Sequence, residues 1–571
     1  MCVIALRRLH IGLRLTRRPD KSVHAARLAV CCALALMVCA SLSSRAFAQA
    51  AGAEPGPDAS SSIAENPPAQ SQATDNAAGP AAPPLLLRGS IDVSEGYTTN
   101  AGGGTVPPYN GHDTYTRGSL NFGAHYVAPH LTADASYSLS ADYYSRLHAL
   151  NELQNQLMLI ADGEIAQKIL FIDARAFATP TYLSRVGALS AGGQPVSNSN
   201  SRNTYGYSVR PDYIQRIGDF ATSDFSVSQQ GVFFLLPHTS SSGPPAPNAA
   251  NNSLVTTASE KITSGSDFSR LQWSADGSYT EMTQSTQSEK QSEGIGTISY
   301  AVARWLTVLG QGGYDKFISS VPLTKDLSGP VAIGGVQVTY GPTLELLAEA
   351  GVQHNFPTYQ GSLRWIISPL DSILASATDA IQTPQGGILG NLGNIAASPS
   401  GAFYDSQTGL PDSGLQSSSA GSTPLSPTSP DGLALDNSIN RERQFILSAT
   451  HTEERTSISL GLFGTIRDRL DITIVPTAGP RTSEYGVRAS VGRKLRIDLS
   501  AEGDVSYSLA DEFGGHDHIL TAGAGLNYTY SEHTEAFLRA QYLQRESNGI
   551  IGFGNAPLSS AEIVIGVRYR L

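Results

Sequence analysis

The chain reads as an all-β protein, a single large antiparallel transmembrane β-barrel of about 22 strands preceded by a signal peptide and a disordered tether. Three observations predict it. From Leu85 onward, segments of about ten residues alternate apolar and polar side chains with period two. Between them, tight turns alternate with long stretches rich in Gly, Ser, Pro and Asn. The final segment, Ile563-Val-Ile-Gly-Val-Arg-Tyr-Arg-Leu571, is one more such strand, apolar on one face and carrying two arginines on the other.

Residues 1–48 read as the signal peptide. Arg7, Arg8, Arg14, Arg17, Arg18, Lys21 and Arg27 form a basic region, the apolar run Leu28 to Ala40 follows, and Ala46-Phe47-Ala48 precedes Gln49. That is the order of an export signal with an A-x-A cleavage site. All four cysteines, Cys2, Cys31, Cys32 and Cys39, lie inside it. A processed chain therefore has no disulfide, thiolate metal site or cysteine nucleophile. Such a chain also suits passage through an oxidising compartment.

The same segment holds eight of the 38 basic residues and one of the 49 acidic ones. The remainder carries 30 basic and 48 acidic side chains, a net of −18. A surface that acidic argues against nucleic acid as a partner. Beyond the signal, no stretch approaches the ~18 apolar residues that a membrane helix requires. Any crossing is made by strands.

Residues 49–84 are Ala, Pro, Ser, Gly and Asn with scattered acids, ending Pro-Ala-Ala-Pro-Pro84. This composition cannot bury enough apolar surface to order itself, so the stretch reads as a periplasmic linker. It is too short for the folded plug of a TonB-dependent receptor or the folded repeats of a two-partner secretion pore.

Residues 85–571 are assigned to the barrel. Leu131, Ala133, Ala135, Tyr137, Leu139, Ala141 and Tyr143 alternate with Thr132, Asp134, Ser136, Ser138, Ser140 and Asp142. Leu271, Trp273, Ala275, Gly277 and Tyr279 alternate with Gln272, Ser274, Asp276 and Ser278. Leu495, Ile497, Leu499, Ala501, Val505 and Tyr507 likewise oppose Arg496, Asp498, Ser500, Glu502 and Asp504. A helix would need apolar residues three and four apart, which these segments lack.

Tight connections are read at 128–130, 166–168, 217–219, 303–305, 341–343, 368–371, 453–456, 492–494 and 531–533. Longer ones are read near 98–113, 181–203, 236–254, 283–290, 316–330, 383–439, 468–483, 508–517 and 546–558. Short turns on the periplasmic side and long loops outside are the rule for such barrels. The first connection is long, which places both termini of the barrel in the periplasm. Fourteen tyrosines, among them Tyr97, Tyr143, Tyr213, Tyr279, Tyr300, Tyr314, Tyr528 and Tyr569, are assigned to the outward face near strand ends. Lipid-interface girdles have this arrangement.

The lumen face is expected to carry both charge signs, with Asp173, Arg175, Arg210, Asp276, Arg364, Arg488, Glu502, Arg539 and Arg568 as the proposed inward residues. Such a set has two readings, a permeation path whose charges set selectivity and a hydrogen-bonded ladder that braces a wide barrel. The longest loop, 383–439, either folds into the lumen as a constriction or lies outside as a surface loop. Gly-His-Asp-His with His516 and His518 reads as a solvated outer loop, because two histidines and one Asp are too few ligands for a metal site. No catalytic constellation stands at a recognisable motif, and no catalytic, cofactor or metal residue is assigned.

Val567, Tyr569 and Leu571, on the apolar face of the last strand, form the proposed assembly signal. The segment resembles the C-terminal signal read by the barrel-assembly machinery, which ends in an aromatic residue where this chain has Leu571. Two further segments carry a family resemblance. They are Arg88-Gly-Ser-Ile-Asp-Val-Ser-Glu-Gly-Tyr-Thr-Thr-Asn100 and Arg441-Glu-Arg-Gln-Phe-Ile-Leu-Ser-Ala-Thr-His-Thr-Glu-Glu-Arg-Thr-Ser-Ile-Ser-Leu460. They resemble the outer-membrane barrels found beside PEP-CTERM sorting and exopolysaccharide gene clusters. The resemblance implies a barrel over nearly the whole mature chain and raises exopolysaccharide export or a surface role.

The expectation is a channel or transport barrel of a Gram-negative outer membrane, with small polar solutes or exported polysaccharide as its cargo. The alternatives are a surface structural or adhesion barrel with a blocked lumen, and an outer-membrane enzyme. Its partners are outer-membrane lipid and the barrel-assembly machinery. Fractionation should place the protein in the outer membrane, and the unheated form should resist SDS and migrate anomalously. Recovery as a soluble periplasmic protein would contradict the barrel.

Overall fold

A computed structural model describes residues 85–102, 111–182, 191, 201–235, 252–285, 287–397, 403–405, 438–471, 481–512, 515–547 and 558–571. The signal and tether assigned to 1–84 lie outside the described residues. The wall begins with β1 (Leu85–Thr98), β2 (Asp113–Ala128), β3 (Leu131–Tyr144), β4 (Glu152–Ala166), β5 (Leu170–Tyr182) and β6 (Ser201–Ile217). It continues with β7 (Ala221–Leu235), β8 (Ser253–Ser264), β9 (Leu271–Gln284), β10 (Ser288–Ala303) and β11 (Leu306–Ser319). Next come β12 (Gly329–Tyr340), β13 (Leu344–Gln353), β14 (Phe356–Ser368) and β15 (Asp371–Gln382). A helix, α1 (Pro384–Asn394), and a small hairpin, β16 (Ile395–Ala397) and β17 (Phe403–Asp405), stand apart from the wall. The wall ends with β18 (Asn440–Thr452), β19 (Thr456–Arg469), β20 (Arg481–Lys494), β21 (Leu499–Glu512), β22 (Gly515–Thr529), β23 (Thr534–Ser547) and β24 (Leu558–Arg570).

The wall is one closed sheet of 22 antiparallel strands. Each pairs with its neighbour in sequence, β15 pairs directly with β18 across the 383–439 segment, and β1 pairs with β24. The closing ladder joins nine residue pairs, from Ser90 opposite Arg570 to Thr98 opposite Glu562. Closure satisfies both edges at once, and in hydrocarbon it is the only arrangement of strands that does so.

Period two then sorts the side chains. On β24, Ile563, Ile565, Val567 and Tyr569 are exposed on the outside, while Ser560, Glu562 and Val564 are buried inside. The same alternation exposes Leu120 and Phe122 on β2, Leu460 and Leu462 on β19, and Phe445 and Leu447 on β18. An exposed apolar face running round a closed barrel is a lipid-facing band, so the protein is integral to an outer membrane. Aromatic residues mark both edges of that band. Tyr97, Tyr143, Tyr279, Tyr314, Tyr359 and Tyr542 stand at the extracellular edge, and Tyr213, Tyr300, Tyr340, Trp365, Tyr528 and Tyr569 at the periplasmic one.

Inside, four rings cross to a glycine directly opposite on the next strand. Tyr115 covers Gly96, Phe177 covers Gly206, Phe463 covers Gly486 and Phe537 covers Gly566, and a Cβ at any of these glycines would overlap its ring. Such pairs pin register, because a shift of one residue drives the ring into a side chain.

The turns depart from the sequence reading at several places. An outer connection at residues 145–151, with one turn of 3-10 helix at His148–Leu150, separates β3 from β4. A periplasmic connection at 265–270 separates β8 from β9. The β13–β14 connection is only His354-Asn355, both at positive φ, the two-residue turn that matches strand twist. A tight turn on the outer side breaks the short/long rule that the sequence reading relied on. The turn expected at 492–494 falls at 495–498 instead, where Leu495 and Arg496 N–H both donate to the Leu499 carbonyl. Ile497 is therefore at a turn tip, fully exposed, and not on a strand face. Strands extend into the loops expected at 283–290 and 508–517, with β9 running to Gln284, β10 starting at Ser288, β21 running to Glu512 and β22 starting at Gly515, so His516 and His518 belong to β22.

Ile565 sits near the middle of the lipid band and Tyr569 near its periplasmic edge. Ile565→Lys should cost about 2–4 kcal/mol, and Tyr569→Asp about 1 kcal/mol or less, because the penalty falls toward the interface. Denaturant titration of the refolded barrel reads both. Equal costs would mean that β24 does not cross the membrane at this depth.

Candidate functional site

The lumen is the candidate site, and its most specific feature begins where β15 ends. Thr383 caps a helix, its hydroxyl accepting from Gly386 N–H at 3.2 Å, and Pro384 occupies the first turn, where a missing N–H costs nothing. Ile388, Leu389 and Leu392 fall on one side of α1 and are buried. They meet inward-pointing apolar side chains of the wall, Met158 and Ile160 on β4, Phe177 on β5, Val232 and Phe234 on β7, Val255 on β8 and Met282 on β9. Ile395 and Phe403 of the small hairpin join the same cluster. Residues 383–397 and 403–405 of the 383–439 segment thus fold inward onto one wall, while Ile439 packs with Leu327 and Leu470. The remainder of that expectation lies outside the described residues.

Polar contacts fix the two ends. At the N-terminus the Thr383 hydroxyl donates to Met282 Sδ at 3.3 Å, and Gln284 Nε2 donates to Gln385 Oε1 at 3.5 Å. At the C-terminus Arg175, reaching from β5, donates Nη1 to the carbonyls of Leu392 and Ile395 at 3.0 Å each, and also to that of Gly393. Those carbonyls sit at the negative end of the helix dipole, where that of Leu392 also accepts from the N–H of the cap residue Ile395, so a guanidinium is the matching group. Asp173, two residues away on the same face, holds Arg175 through Nη2 at 2.9 Å and Nε at 3.1 Å.

The other sequence-proposed lumen residues do not gather around the helix. Arg210 pairs with Asp212 at 3.1 Å and lies opposite Asp173 in the ladder. Asp276 accepts from Ser274 at 2.9 Å, with Lys261 at 3.6 Å. Arg364 stands directly opposite Glu345. Arg488 lies over the Phe463 ring at 5.6 Å, and Arg539 reaches Glu502 at 2.6 Å. Arg568 pairs at 3.0 Å with Asp92, which also accepts from Asn121 at 2.9 Å. Asp92 faces Arg568 across the β1–β24 seam, so this pair braces closure. Arg568 thus stands in a bracing pair at the seam, and Arg175 is taken up by the carbonyl end of the inserted helix.

The sequence reading missed α1 and its dock. The signals were present. Thr383-Pro384 is a helix start, and Ile388, Leu389, Leu392 and Ile395 have helical spacing. Leu157 to Ala161 and Val232 to Leu235 are continuous apolar runs, which in a barrel call for a partner on the inside.

No family model matches the chain, and no curated protein matches it. Solved structures do. The crystal structure of the ferripyoverdine receptor of the outer membrane of Pseudomonas aeruginosa, bound to ferripyoverdine, is 9% identical, with a TM-score of 0.45 over 85% of this chain and 72% of that one. A mutant of the ferric enterobactin receptor of the same organism, in complex with enterobactin, is 10% identical with a TM-score of 0.42 over 85% and 81%. The FrpB iron transporter of Neisseria meningitidis is 9% identical with a TM-score of 0.33 over 85% and 82%. Likenesses of this degree carry no argument about ligand or mechanism.

Thr383→Ala removes the cap and should weaken α1 by about 1 kcal/mol. Hydrogen exchange of the Ile388–Leu392 amides should quicken while the wall strands stay unchanged. Unaltered exchange would mean that the cap does not hold the helix.

Proposed function

We propose that the barrel passes hydrophilic solutes across the outer membrane, along a lumen narrowed on one side by α1. One observation carries this reading. The helix packs on the β4–β9 wall, while across the lumen inward side chains such as Glu345 on β13, Gln360 and Ser362 on β14 and Asp504 on β21 stay exposed. A lumen packed shut would bury them.

Below the docked helix the wall presents hydroxyls and amides. Ser226 pairs with Ser259 at 2.7 Å, Thr257 with Thr280 at 3.0 Å, and Gln230 with Ser208 at 3.3 Å. A surface of hydroxyls and amides, with the Lys261–Asp276 and Arg210–Asp212 pairs further down the same strands, suits hydroxylated solutes, and exported polysaccharide is the class that the family resemblance adds. Its place in exopolysaccharide export is part of this proposal.

Conductance in planar bilayers tests it. Joining Gln382 to Asn440 by a short linker should leave the barrel folded, since β15 and β18 already pair and loop length costs only about 0.6 kcal/mol per doubling. The shortened protein should conduct more than the full chain. Equal conductance with a heat-modifiable barrel would remove the constriction. Absence of conductance in both would overturn the channel and favour a surface barrel.

A further inference from the structure

α1 is a poor helix by composition. Four of its eleven residues, Gly386, Gly387, Gly390 and Gly393, are glycine. Each costs about 1 kcal/mol relative to alanine, and a helix shorter than about 12 residues is marginal in water even without that penalty. Packing does not demand these glycines. A Cβ at Gly390 or Gly393 would meet nothing within 4 Å, and at Gly386 or Gly387 nothing nearer than 3.4 Å. Backbone geometry does not demand them either, since the described glycines at positive φ are Gly218 and Gly341. The helix therefore owes its existence to its dock. The apolar wall buries one side, and Arg175 satisfies the carbonyl end.

We propose that α1 is a gate in exchange between a docked helix and a released, unwound segment, with the Arg175–Asp173 clip setting the balance. The proposal rests on the reading of the barrel as a conducting path. Docked, the segment lies along β4–β9 and leaves the facing lumen clear. Released, the residues of α1 are unwound, remain joined to β15 at Gln382, and enter the path. Glycine at unconstrained positions keeps the two states close in free energy. A helix built from alanine would stay docked.

Five variants and two readouts test this. Gly390→Ala and Gly393→Ala should each lower the frequency of channel closures about 5-fold, and together about 25-fold, by favouring the helix. Arg175→Gln should raise closures about 10-fold or more, as expected for loss of a charged hydrogen-bond donor. Met282→Cys with Gly386→Cys, joined by a bifunctional thiol reagent, should abolish closures. The Cβ position at Gly386 lies 3.5 Å from the Met282 side chain, and all four native cysteines precede residue 40. Hydrogen exchange of Ile388–Leu392 should slow in the alanine variants and quicken in Arg175→Gln, whether or not the protein conducts. Closures that persist in the cross-linked channel, or exchange rates that ignore all the substitutions, overturn the gate. Absence of conductance with the expected exchange changes would overturn only the conducting path.

Discussion

Every backbone N–H and C=O at membrane depth must find its partner within the protein, because hydrocarbon offers none. The rest of this structure follows from that requirement. A sheet of 22 strands meets it only by closing, and the closing ladder joins the first strand of the wall to the last. Interior side chains reinforce the seam from within. Asp92 pairs with Arg568 across it, Tyr115 Oη donates to the Glu562 carboxylate, and Phe537 fills the space above Gly566. The lipid side contributes burial in the membrane, and the water side contributes pairs that fix register.

Once the wall is closed, its inner face has two solutions. Most strands turn polar residues inward, and these bond to one another or face water. Part of the β4–β9 wall instead turns Met158, Ile160, Phe177, Val232 and Met282 inward, apolar residues that a wetted lumen would not stabilise. They require a cover, and α1 with its small hairpin provides it. A second segment does comparable work at the outer rim. Residues 320–328, after β11, bond to Asn355 at the short β13–β14 turn and pair with Asp471 beyond β19. Leu327, Ile439 and Leu470 pack with Phe317 there, and Phe356 of β14 lies against them.

Much of this was legible in the sequence, for a physical reason. Period two is enforced by the pleat, and lipid on one side with water on the other writes it into the residues. Strand number, antiparallel topology and the outward tyrosines follow from that, together with the turn residues between strands. The errors arise where the pleat no longer decides. Leu495 and Ile497 continue the alternation into a turn, because alternation alone does not tell a strand from the turn that extends it. His354-Asn355 closes an outer hairpin in two residues without Gly or Pro, so neither length nor composition marked it. The helix was hidden by its glycines, which gave its segment the composition of a loop. Its apolar spacing mattered only beside the apolar runs on β4 and β7, which are distant in sequence.

The central claim is the closed seam in its stated register, where Val93 stands directly opposite Val567. With Val93→Cys and Val567→Cys in the folded barrel, mild oxidation should form an intramolecular disulfide that changes migration of the denatured chain. Val93→Cys with Ile565→Cys, two residues out of register, should cross-link far less. Cross-linking only when the chain is unfolded, or equally in both pairs, would contradict the closed barrel described here.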